Sequence, residues 1–137
     1  MSRKPTKEQI VAKARNAAAL AQRGNLEGAA ATLIPLMPHA RELPAVLDLF
    51  GDIRGRQGHY HEAASSYHQV LKTHRNAVDI RQKLSMCLIR AGRFDEAIQQ
   101  IERIRENDPW NAPAVLSLVE TYSSMGMKDA AAALIDE

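Results

Sequence analysis

Apolar positions in residues 78–111 recur at intervals of three and four: Leu84 and Leu88 in the first half, Ile98, Ile101 and Ile104 in the second. That period places them on one side of a helix. Ala91-Gly92-Arg93 interrupts the pattern, and Pro109 closes it because proline has no amide proton with which to extend a helix. The stretch therefore predicts two amphipathic helices joined by a short turn. Its punctuation returns along the chain. Gly24, Gly58, Gly92 and Gly126 are spaced 34 residues apart, and Ala29, Ala63, Ala97 and Ala131 each follow five residues after a glycine. A constant interval of this size predicts consecutive copies of one supersecondary unit, at about 10–43, 44–77, 78–111 and 112–137, forming a single domain over residues 1–137.

Local signals set the helix limits. Thr6 and Gln9 form a capping-box pattern, predicting a first helix over 7–23. Gly24-Asn25 ends it, and a second helix begins near Leu26. Pro35 and Pro38 fall where its last turns belong, so it should kink or stop near Ile34. Residues 39–43 then read as a connector, and Pro44 suits the first position of the next helix. Further helices are expected near 44–57, 60–74, 78–91, 94–107, 112–125 and 128–137, with Asn76 and Asn111 as N-caps.

The 34-residue unit resembles the tetratricopeptide repeat, whose pattern is W-x2-L-G-x2-Y, then A-x3-F, then P. In the third unit the pattern falls on Arg81, Leu84, Ser85, Leu88, Ala97, Ile101 and Pro109, and in the second on Leu47, Phe50, Gly51, Arg54, Ala63, Tyr67 and Arg75. The fourth offers Val115, Leu118, Val119, Tyr122, Ala131 and Ile135; the first, which departs most, offers Lys13, Asn16, Ala17, Leu20, Ala29 and Leu33. Arg54 and Arg81 stand where the family prefers aromatics. The resemblance implies an all-α, right-handed α-solenoid of about four repeats. It also implies that the first helix of each pair lines a concave groove for a peptide or partner helix. The aligned stripe comprises Asp48, Asp52 and Arg56; Gln82, Lys83, Met86, Ile89 and Arg90; and Leu116, Ser117, Glu120, Ser123 and Ser124. Relatives that grip a C-terminal carboxylate use lysine, asparagine and arginine in such positions. Asp48 and Asp52 would repel that group, so this clamp is not expected.

Composition narrows the function. Apolar residues make up 45% of the 137 and charged residues 25%, enough to bury a core, but only 4% are aromatic. Packing must therefore come from small and aliphatic side chains, which suits closely approaching helices. A formal charge of +2 gives no basic footprint for nucleic acid, and aromatics for base stacking are scarce. No run reaches membrane-spanning length, and Lys13, Arg15 and Asn16 interrupt any signal-peptide pattern, giving a cytoplasmic expectation. Cys87 is the only cysteine and reads as a half-buried structural thiol.

Catalytic readings are weak. Asp48 and Asp52 share a helical face, but no histidine or second acidic cluster accompanies them, and groove charges pairing with Arg56 explain them more simply. His59, His61, His68 and His74 match no metal-ligand spacing. The glycines at 51, 55 and 58 lack the lysine of a phosphate loop. The chain thus reads as a non-enzymatic protein-binding module without metal or cofactor. Its partner is a protein or peptide, not nucleic acid or membrane, and the short last helix offers a surface for a second copy. The alternative from another class is an N-terminal recruiting or dimerising region of a longer enzyme, such as a repeat-containing sulfotransferase or glycosyltransferase.

Overall fold

A computed structural model describes residues 3–136. It contains α-helices and one 3-10 segment, with no strand among the described residues. The helices are α1 (Lys7–Gln22), α2 (Leu26–Leu33), α3 (Pro44–Arg56), α4 (Tyr60–Thr73), α5 (Val78–Arg90), α6 (Phe94–Asn107), α7 (Ala112–Ser124) and α8 (Lys128–Asp136), with the 3-10 helix at Ile34–His39. They pair as four helix-turn-helix units, α1 with α2 through α7 with α8.

The repeated glycines make these turns. Gly24, Gly58, Gly92 and Gly126 all have positive φ, from 76° to 85°. Around Gly92, the Arg93 amide reaches back to the Leu88 carbonyl at 2.8 Å, and Gly92 itself donates to Ile89 at 3.0 Å. This Schellman-type ending satisfies the last carbonyls of α5. A Cβ on Gly92 would meet nothing within 4 Å, so the demand for glycine is purely one of backbone conformation. Gly92→Ala should lower unfolding free energy by about 1–2 kcal/mol, with Gly92→Asn costing less, as measured by urea denaturation followed by circular dichroism.

The chain divides into two compact units, Met1–Arg75 and Asn76–Glu137. In the first, Ile10, Ala17, Ala21, Ala29, Leu33, Leu36, Val46 and Ile53 form one buried cluster. Small side chains at Ala17 and Ala29 let α1 and α2 approach closely. Thr6 accepts from the Gln9 amide at 3.1 Å, while the Gln9 side chain accepts from the Thr6 amide at 2.8 Å, completing the capping box. As the prolines predict, α2 stops at Leu33 and tightens into the 3-10 helix.

In the second unit, α6 packs against both α5 and α7. Leu84, Leu88, Ala97, Ile101, Ile104, Ala114 and Leu118 are buried. Cys87 is more deeply enclosed than the expected half-buried thiol. Asn111 caps α7 by accepting from the Ala114 amide at 3.0 Å. Asn76 does not do the same for α5: the helix begins one residue later, and its N-cap, Ala77, has no side chain with which to cap.

Candidate binding face

On α3, Asp48 and Asp52 are half-buried and Arg56 is exposed. The Tyr67 hydroxyl of α4 donates to the Asp52 carboxylate, which makes this group a structural acceptor. Arg56 reaches 35 residues back to the Ala21 carbonyl at the end of α1, at 3.3 Å. These contacts tie α3 to both neighbours inside the first unit.

The second unit carries the more open face. Along α7, Leu116, Glu120 and Ser123 follow one exposed arc, and Leu116 is 68% accessible, unusual for so large an apolar side chain. Ser117 lies at the edge of this arc and is only 4% exposed. Its hydroxyl accepts from Gln82 Nε2 at 2.7 Å and faces the Met86 sulfur at 3.7 Å. Gln82 and Met86 are half-buried, as is Lys83, while Arg90 is exposed. Gln82 Oε1 is buried without a hydrogen-bond partner, whereas the amide nitrogen also reaches the Pro113 carbonyl at 3.4 Å. Gln82 therefore fastens α5 to α7 while leaving one acceptor unsatisfied.

Two positions expected on the open stripe belong instead to the packed part of the unit. Ile89 is 7% exposed, because the buried residues of α5 extend around most of its circumference from Ile80 to Ile89. Ser117 is the second, enclosed by its contacts with α5.

The buried Arg81 sits where the repeat pattern calls for an aromatic side chain. It donates to Gln100 Oε1. Burial, followed by the nearby Arg103 charge, lowers its pKa, while Glu106 acts in the opposite direction. Arg93 is bidentate to Glu96, at 2.9 and 2.7 Å, and that hydrogen bonding raises its pKa. Glu102 pairs with Arg105 at 3.0 Å. Among the described residues no three His, Cys, Asp or Glu side chains converge on a metal-sized site, and no helix is long and apolar enough to cross a membrane.

The family model described as tetratricopeptide repeat matches residues 56–109, covering the α4–α6 region and the Gly58 and Gly92 turns. Residues 56–109 are thus similar to the tetratricopeptide repeat. Solved structures of MamA share the fold. MamA MSR-1 aligns with a TM-score of 0.84 at 19% identity, over 93% of this chain and 73% of that one. MamA AMB-1 aligns at 0.82 and 19%, over 93% and 75%, and a further MamA crystal structure at 0.81 and 16%, over 93% and 69%. At these identities the likeness is one of fold. No curated protein matches the chain in sequence.

The aligned stripe leaves out several exposed apolar side chains. Trp110, which precedes α7, and Ile135 on α8 are largely exposed, and Met127 before α8 is exposed over 44% of its surface. Their signal in the sequence was the presence of large apolar residues at turn positions or on a helix with no described helix after it.

Proposed function

We propose that this chain is a non-enzymatic module that holds a peptide or partner helix against the first helices of its repeats, with the α5/α7 face as the principal contact. The observation that carries this reading is the exposed Leu116 beside Glu120 and Ser123, on a helix fastened to α5 through Gln82 and Ser117. An apolar anchor ringed by polar and charged side chains gives a partner both area to bury and groups to orient it. Met86 extends the apolar part, while Lys83 and Arg90 supply charge of the opposite sign to Glu120. In the first unit, Asp48, Asp52 and Arg56 would offer a more polar contact.

The test is affinity capture followed by cross-linking with a photoreactive residue at Ser123, comparing the wild type with Leu116→Glu/Glu120→Arg. Both substituted positions are exposed, so helicity should be unchanged by circular dichroism. The variant should lose at least tenfold in affinity for the cross-linked partner, equivalent to about 1.4 kcal/mol. Equal affinity of both proteins would remove the α5/α7 face from consideration. Asp52 is left intact because its bond to Tyr67 would confound binding with folding.

A further inference from the structure

A recess lies within the first unit, on the side of α3 opposite to Asp48 and Asp52. Its origin is in the sequence. Pro35 and Pro38 end α2 after eight residues, whereas α4 and α6 each continue for 14. The following 3-10 turns do not fill the same space, and a cleft of about 220 Å³ opens between them and α4. Met37, Leu47 and Phe50 form its apolar lining. In a 3-10 helix residues three apart eclipse, so the exposed Ile34 continues the apolar strip one turn beyond Met37. The opposite wall is one face of α4, with Glu62, Ser65 and Gln69 at helical spacing.

The wall is fixed in place. Ser66 donates to the Leu47 carbonyl at 2.6 Å, holding α4 to α3 under the cleft. Among the described residues, Glu62 is the only charged side chain in the lining. Arg54 Nε holds one of its oxygens at 2.8 Å, but Arg54 is mostly buried, lies over the Phe50 ring and also donates to Gln57. The charge presented to solvent at this rim is therefore the carboxylate. The volume is below the 300–1,000 Å³ usual for cofactor or drug-sized ligands and suits one aliphatic or aromatic side chain. Ser65 and Gln69 are exposed on the rim, where they can meet a peptide backbone.

We infer that this cleft receives the apolar side chain of a partner segment that carries a basic residue beside it, independently of the α5/α7 face. The apolar side chain fills the space between Met37 and Phe50, and the adjacent cation pairs with Glu62. The experiment is an NMR titration of the methionine-methyl- and amide-labelled protein with N-acetyl-Leu-Lys-amide and with N-acetyl-Leu-Glu-amide. Saturable shifts should centre on the Met37 methyl and the Ser65 and Gln69 amides, with the lysine dipeptide binding at least threefold tighter. Ser65→Trp, a change at an exposed position that covers the cleft, should abolish them while leaving the far-UV spectrum unchanged. Shifts centred elsewhere, equal affinity for the two dipeptides in the wild type, or unchanged binding by folded Ser65→Trp would overturn the proposal.

Discussion

Ile101→Ala is expected to lower the unfolding free energy by about 2–5 kcal/mol, whereas Ile135→Ala should change it by less than about 0.5 kcal/mol. The residues are identical and occupy the same register of the 34-residue repeat, as do Leu33 and Tyr67. Their surroundings differ. Ile101 is 0% exposed on a helix packed between α5 and α7, while Ile135 is 71% exposed on α8, which packs on α7. Truncating Ile101 removes its burial and leaves a void that Ala97, fully buried one turn earlier, is too small to fill. Truncating Ile135 removes side-chain atoms already in water. Urea titrations followed by circular dichroism measure both effects. A loss at Ile101 below 1 kcal/mol would show that α6 is not packed as described. Because repeat arrays do not always unfold in one step, tryptophan fluorescence should be followed in parallel; Trp110 reports on the loop between α6 and α7.

The contrast between these isoleucines also shows what the sequence can carry. The period was legible because two backbone and packing constraints recur at fixed positions: a glycine that must take positive φ, and an alanine with little or no exposed surface. Helix boundaries followed from caps and prolines, except at Asn76, where α5 starts without a side-chain cap. The candidate face was less legible. A helical wheel separates two sides of a helix surrounded on one side only, but α5 is buried around most of its circumference, so Ile89 falls inside an arc that spacing alone assigns to solvent. Ser117 looks equally polar whether it faces water or accepts from Gln82. The prolines announced the end of α2, but the cleft beside it depends on how far α4 runs past the break. That is a property of the packing between elements.

Gly51 should resist replacement for a reason distinct from that of the turn glycines. Its backbone is ordinary helix; the constraint is the Tyr67 ring. A Cβ at Gly51 would lie 2.7 Å from one ring carbon and 2.8 Å from another, closer than side chains pack. The ring cannot simply move aside, because its hydroxyl is bound to Asp52 and the adjacent Ser66 is bound to Leu47. Registers 51 and 67 carry Ala17 with Leu33 in the first repeat, Ser85 with Ile101 in the third, and Val119 with Ile135 in the fourth. The largest partner thus stands opposite the residue with no side chain. Gly51→Val should therefore lose about 2–3 kcal/mol through overpacking. Tyr67→Ile should also lose stability, through a cavity and the lost hydrogen bond. Gly51→Val/Tyr67→Ile installs the pair found in the fourth repeat, and the valine fills part of the space vacated by the ring. The double variant should consequently be more stable than the sum of the single losses predicts, by at least about 1 kcal/mol. Additive losses in urea titrations of the four proteins would mean that the Tyr67 ring does not hold the space above Gly51.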